Sequence, residues 1–360
     1  MPEADYSLLW AAGKMASAGH ATALYDGPSF AAWREGLFGP GLQQLDWIYP
    51  PPMVALGMAV AHVPLLPGYF LWVALTCGAA IWALRWAGLS WTVVLLGLFG
   101  PPTWRGMILG QYAPLAGALV VAGLLTARRA PVAAGLEMAL ATFKPHLGIL
   151  VPLVWIAQRR WRAFGIAAAS LFGLAALSTV LLGTAVWTAF LHGSRLSDRA
   201  LLETYFDTGI PANVASVFWM ARSFGASISA SYIAQMSTAA VAAVVAWIAA
   251  RRGCDVAATS VTPCLALLVS PYLWASDLVC YSIVTAMLVE RRRFGALPFF
   301  LWVCPGISEI FVVLTGKAIL PIFVALTAAL AWREFGGRTA LSDTSDPLTQ
   351  STSMSTGATA

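Results

Sequence analysis

Charge is scarce in this sequence: Asp, Glu, Lys and Arg make up 10% of 360 residues, against 59% hydrophobic residues and a mean hydropathy of +0.76. A soluble domain is about one quarter charged, so the shortage excludes an ordinary globular protein and implies a polytopic membrane protein. Cysteine is sparse too. The five cysteines, at 77, 254, 264, 280 and 304, form no CxxC or Cys/His pairing and read as small core residues, which argues against a zinc site or disulfide framework. An Asp-x-Asp motif in a soluble nucleotide-sugar domain is also missing, so a nucleotide donor with its divalent metal is not expected, and no cofactor is assigned. The first residues lack the basic region and apolar stretch of a secretory signal.

The net charge of +5 arises mostly from arginine clusters between apolar segments, which reads as membrane topology and not as nucleic-acid binding. The clusters are Arg128-Arg129, Arg159-Arg160-Arg162, Arg251-Arg252, Arg291-Arg292-Arg293 and Arg333 with Arg338. The positive-inside rule places them all in the cytoplasm, and the 16 Trp and nine Tyr fit an interfacial aromatic belt. Residues 163–183 then lead out, 184–226 form a second large outside loop, and 227–250 return. Residues 256–273 and 276–290 form one hairpin with "SPYLWASD" at its outer tip, and 295–315 and 318–332 form another.

The first half is less regular. Candidate segments at 51–66, 69–86, 89–101 and 112–127 include several below the roughly 20 residues of a full span. With the polar residues 1–47 outside as a first loop, parity requires one of the first three segments to be a half-span or re-entrant piece, which is tolerated only against protein or a wet cavity. The expectation is an all-α polytopic membrane protein with about ten or eleven transmembrane or half-span helices. Residues 1–335 form one domain, and the Ser/Thr-rich 336–360 form a disordered cytoplasmic tail.

"PVAAGLEMALATFKPHLGILVPLVWIAQRR" begins and ends at cytoplasmic arginines, so it must be a short hairpin broken at Lys144-Pro145. A helix of about 13 residues climbs about 20 Å, which leaves Lys144 and His146 inside the bilayer's thickness. An intramembrane lysine reads as a functional cation facing an anion, the alternative being a side chain that snorkels to the outer interface. Glu137 and Glu309, alone in apolar helices, read as bundle-interior hydrogen-bonding groups. The Tyr49-Pro50-Pro51-Pro52 run sets a rigid bend and is given no chemistry.

The outside loops hold Asp5, Asp26, Asp46, Asp198, Glu203 and Asp207 with His192, Arg195, Arg199 and Arg222. Short inside loops with large, mixed-charge outside ones suit an enzyme at the outer leaflet. A lipid or sugar-lipid transporter, or a non-catalytic membrane partner, remains the alternative; paired broken helices in matching halves, a transporter signature, are not evident.

Four blocks in order, "LDWIYPPPMVALGMAVAHVPLLP" at 45–67, "GQYAPLAGALVVAGLL" at 110–125, "FKPHLGILVPLVWIAQRRWRA" at 143–163 and "LLVSPYLWASDLV" at 267–279, resemble glycosyltransferase family 87 over roughly residues 5–335. No single block is specific; their order and spacing carry the resemblance. These are polytopic GT-C-fold transferases that use polyprenyl-phosphate sugars, among them mycobacterial mannosyl- and arabinofuranosyltransferases. The resemblance implies a bacterial cytoplasmic-membrane enzyme with an extracytoplasmic active site. It would move a sugar, foremost mannose, from a polyprenyl-phosphate donor to a hydroxyl of a glycolipid or glycan acceptor with inversion, amid membrane lipids and without nucleic acid.

"ADYSLLWAAGKMASAGHATALYDGPSF" matches the register that follows the family's first membrane helix, so that helix is missing here: either the true start lies upstream of Met1, which is the expectation, or this variant has lost its anchor. The resemblance makes Asp5 the general base, with Asp26 second, although "YDGP" is also an ordinary turn. Lys144 and His146, then Arg105 and Arg222, would receive the donor phosphate. Gln111, Tyr272, Trp274 and Asp277 would line the sugar or acceptor site. Ala275 and Ser276 stand where family sequences often carry a further acid or aromatic.

Overall fold

Prolines and glycines set the helix ends. The structure is a computed structural model that describes residues 4–42, 45–204, 206, 213–252 and 255–336. The expected tail beyond 336, Cys254 and Asp207 lie outside the described residues. Within them the fold is all-α: α1 Asp5–Ser17, α2 Gly27–Phe38, α3 Pro51–Val60, α4 Leu65–Trp86, α5 Trp91–Leu98, α6 Pro101–Leu109, α7 Ala113–Thr126, α8 Pro131–Ala141 and α9 Val151–Ala157. There follow α10 Trp161–Leu182, α11 Ala185–Arg199, α12 Val217–Ser223, α13 Ile228–Arg252, α14 Asp255–Val269, α15 Val279–Arg291, α16 Ala296–Thr315 and α17 Leu320–Phe335. Proline occupies the first turn of α2, α3, α6, α7, α8, α9 and α17, where its missing N–H costs nothing.

Among the described residues, α4, α10, α13 and α16 are long and apolar enough to cross a membrane. They turn large apolar residues outward, among them Phe70, Phe172, Val241 and Leu314, as a lipid-facing shell requires. The chain is a multi-pass membrane protein. Inside the shell, α7, α14 and α15 are buried along nearly their whole length and pack on one another. Small residues allow the close approach: a Cβ on Gly117 of α7 would lie 2.8 Å from Val279 Cβ on α15.

The irregular first half resolves into short pieces. Helix α3 has 10 residues and climbs about 15 Å. Helices α5 and α6 are bent by 60° at Gly100-Pro101, a broken span or re-entrant loop. Helix α6 itself was not expected, because its two prolines and Arg105 mask its apolar content.

Residues 1–47 depart most from expectation. They are not simply a polar loop: α1 is a core helix, with Tyr6, Leu8, Leu9, Ala11, Ala12 and Met15 buried. Its charges, Asp5 and Lys14, lie in its first and last turns. The apolar middle is shorter than a span, and therefore invisible to a length criterion. It packs on α3 backbone to backbone, and a Cβ on Gly13 would lie 2.0 Å from the Gly57 carbonyl oxygen. The 184–226 stretch likewise contains α11 and α12, and its end is tied down: Ala215 N–H donates to Leu273 O at 2.9 Å and Ala275 N–H to Asn213 O at 2.6 Å.

The arginine clusters meet at one end of the bundle. Arg129 donates to the Trp86 carbonyl at the end of α4, and Arg160 to Asp255 at the start of α14, at 2.7 Å. Ser90 donates to Glu290 and Arg292 to Glu334, joining α5, α15 and α17 there.

Substituting Gly13 tests the α1–α3 contact. Gly13→Val should destabilise the protein by about 1–3 kcal/mol through overpacking, read as a lower thermal midpoint in detergent. Gly78→Ala in α4, where a Cβ meets nothing within 4 Å, should leave the midpoint unchanged or raised.

Candidate active site

At the end opposite the arginines, four breaks in helical structure place four polar side chains together. Asp5 opens α1, where the free N–H groups of the first turn favour a carboxylate. Gly110 ends α6 in a left-handed conformation, φ 63° and ψ 34°, which turns the chain so that Gln111 sits between α6 and α7. Lys144 precedes Pro145, whose ring excludes the helical conformation for the residue before it. The backbone there is at φ −126° and ψ 79°, and the hairpin breaks into α8, a 3-10 turn at Pro145–Gly148, and α9. Asp277 ends the 3-10 turn Ala275–Asp277, and its Oδ2 accepts from the Trp274 N–H at 3.3 Å.

These groups form one chain of hydrogen bonds. Lys144 Nζ donates to Asp277 Oδ1 at 2.5 Å and to Gln111 Oε1 at 3.1 Å; Gln111 Nε2 donates to Asp5 Oδ2 at 2.9 Å. The amide orientation follows from chemistry, since an ammonium only donates and must face the amide oxygen, which turns the amide N–H toward Asp5. The Lys144 and Asp277 side chains are 6% and 1% exposed, so Lys144 does not snorkel to water. His146 Nε2 lies 3.3 Å from Asp277 Oδ2, an ion pair when the imidazole is protonated. Asp277 is thus engaged on both oxygens and buried. It is the counter-ion of Lys144.

An aromatic wall backs the cluster. Tyr69, Tyr6, Trp72 and Tyr112 pack in that order, edge-on or tilted, and Trp72 Nε1 donates to Gly110 O at 2.9 Å, holding the turn that carries Gln111. Tyr49 lies beside Lys144. The residue was read only as part of a rigid bend; the aromatic preceding the prolines was the signal, since a bend needs no phenol.

The other expected residues lie elsewhere. Arg105 pairs with Glu309 at 3.0 Å, which explains that glutamate, and Glu137 accepts from Thr126 at 3.2 Å within the bundle. Arg222 donates to Ala226 O and lies over the Phe206 ring, beside the Ser223 carbonyl that Lys317 holds. Tyr272 and the Trp274 ring pack against the Leu202–Phe218 cluster. Asp26 caps α2 by accepting from Ser29 N at 3.0 Å and from its hydroxyl at 2.5 Å, and these bonds hold its carboxyl below the usual range.

Asp26 also lines an open hollow of about 400 Å³ with Tyr25, Asp46, His192 and Ser197. This hollow and the ionic cluster are different places linked by Tyr25, whose hydroxyl donates to Tyr49 O at 2.9 Å. Beside it on α11, burial pushes the Asp198 carboxyl up to about 6.

A multi-pass apolar bundle with a buried ionic cluster at its broken helix ends defines a membrane-embedded polar site. The chain belongs to glycosyltransferase family 87, whose model matches residues 47–271. It is therefore a membrane glycosyltransferase. Gln111, Lys144 and His146 lie within the matched stretch; Asp5 and Asp277 lie outside it. Searches of curated proteins and of solved structures gave no match.

Two outcomes follow from this geometry. Lys144→Met leaves Asp277 buried and unpaired and should cost about 3–5 kcal/mol, most of it recovered in Lys144→Met/Asp277→Leu, as a double-mutant cycle of unfolding would read. Asp198 holds its proton when folded up to about pH 6 but releases it near 3.8 when unfolded. The folded state binds more protons across that window, so stability falls as pH rises through it. Asp198→Asn should flatten the thermal midpoint between about pH 4 and 6.

Proposed function

We propose that this glycosyltransferase moves a sugar, foremost mannose, from a polyprenyl-phosphate donor to a hydroxyl of a glycolipid or glycan acceptor, with inversion, and that Asp5 is its general base. The arginine-rich end faces the cytoplasm by the positive-inside rule, so the ionic cluster acts at the outer face of a bacterial cytoplasmic membrane. The observation that carries the reading is the chain Asp5, Gln111, Lys144, Asp277. The chain joins four distant segments and holds a carboxylate, Asp5, and a buried cation, Lys144, within one amide of each other, the pairing that an acceptor proton and a phosphate leaving group require.

In this reading the acceptor hydroxyl gives its proton to Asp5 as its oxygen attacks the anomeric carbon. The bond from that carbon to the phosphate oxygen breaks on the opposite face, and the charge left on the phosphate meets Lys144. Lys144 can donate three hydrogen bonds and directs two at Asp277 and Gln111; the phosphate would take the side of the ammonium that Tyr49 flanks, joined by His146. Asp26 is the poorer base, because the Ser29 bonds stabilise its ionised form and so lower its affinity for a proton.

The test incubates membranes holding the full-length protein with radiolabelled polyprenyl-phosphate mannose and, separately, the arabinose donor. Asp5→Asn keeps the shape and the bond from Gln111 can be replaced, but the amide takes no proton; turnover should fall about 10²–10⁴-fold. Normal turnover by the folded Asn variant moves the base elsewhere. No transfer from either donor by the wild-type protein refutes the donor assignment.

A further inference from the structure

The arginine-rich end contains more than topology requires. Arg128, Arg129, Arg159, Arg160 and Arg162 line one open hollow of about 390 Å³ with Trp161 on its rim, within the size range of small-ligand sites. Arg160 is answered by Asp255, at 2.7 and 3.0 Å. Arg129 is held by the Trp86 carbonyl and lies 5.3 Å over the Trp86 ring, which orients it without neutralising it. Among the described residues Arg128, Arg159 and Arg162 form no ion pair. Charges with only a topological duty need not converge. Here two interhelical turns bring them to one concavity, where a guanidinium can grip phosphate through two N–H groups.

The surroundings add two features. Helices α8 and α10 both begin at the hollow, and neither first turn is capped by a side chain, so their positive ends reinforce the arginines. From the rim, Val132, Leu136 and Leu140 run along α8 at helical spacing, 48%, 49% and 41% exposed. Trp161 is 57% exposed at the same level, where an indole suits the boundary between head groups and hydrocarbon. An anion site that continues into an apolar stripe matches an amphiphile and not a free ion.

We propose that the hollow is a binding site for the phosphate of an anionic phospholipid, with an acyl chain along the Val132, Leu136 and Leu140 stripe. The lipid would sit at the bundle end opposite the Lys144 cluster, so it is a resident of the fold and not the sugar donor. Binding there would tie the α7–α8 and α9–α10 turns to each other through one head group.

The test measures lipid retained by the purified full-length protein, by native mass spectrometry from mixed micelles of phosphatidylglycerol and phosphatidylcholine. Phosphatidylglycerol should be retained about tenfold over phosphatidylcholine. The Arg128→Gln/Arg159→Gln/Arg162→Gln variant should lose that preference. The corresponding Lys triple, which preserves net charge and topology, should lose about threefold because it cannot grip phosphate bidentately; it decides the matter if the Gln triple fails to fold. Arg251→Gln/Arg252→Gln, at the same end but outside the hollow, should retain the lipid as the wild type does. Equal retention of the two lipids, a Lys triple indistinguishable from wild type, or equal loss in the Arg251/Arg252 variant would overturn the site. Inorganic phosphate raising the thermal midpoint as much as phosphatidylglycerol does would overturn the lipid assignment.

Discussion

The ion pair between Lys144 and Asp277 is the constraint on which the polar end of this bundle depends. Each partner stands at a place where helix stops: Lys144 before the proline that splits a hairpin, Asp277 at the close of a 3-10 turn. Non-helical backbone at membrane depth is stable only against protein or water. Here opposite charges, almost out of reach of solvent, fasten the two breaks to each other. The same pair fixes Gln111 and through it the first turn of α1. One interaction thus sets the positions of four segments that share no continuous element.

Around that pair the fold divides labour between two kinds of helix. The long ones are apolar over the length of a membrane span, while short ones such as α6 and α8 break off and leave their ends to polar groups. The second large loop is integrated with this interior, because its 213–215 segment pairs with the backbone beside Asp277. Tyr25 joins the polar hollow between the 3-10 turn Ala21–Tyr25 and α11 to the aromatic that flanks Lys144.

Much of the architecture was legible in sequence. Spans at 163–183, 227–250 and 295–315 correspond to α10, α13 and α16 because length and hydropathy act there without interference. The break at Lys144-Pro145 was legible because proline's effect on its predecessor is local. Helix α1 was not, since a helix of 13 residues, most of them buried against its neighbours, carries no length signal. Among the candidate residues, Lys144, Gln111 and Asp5, each marked by a sequence block, are close in space. Arg105 and Arg222 were drawn in by charge alone, and charge does not say which acid, carbonyl or ring a guanidinium will meet. The role of Asp277 depended on its burial, which no linear pattern around "SPYLWASD" expresses.

The amide of Gln111 has a further consequence. Were Asp5 to touch Lys144 directly, the two charges would satisfy each other and the carboxylate would have little affinity left for a proton. An amide interposed between them conducts polarity without transferring charge: its oxygen leans on the cation and its nitrogen on the anion. It acts as a spacer that keeps the two charges out of direct contact. The carboxylate and the cation are thus held near each other while neither is the other's direct partner.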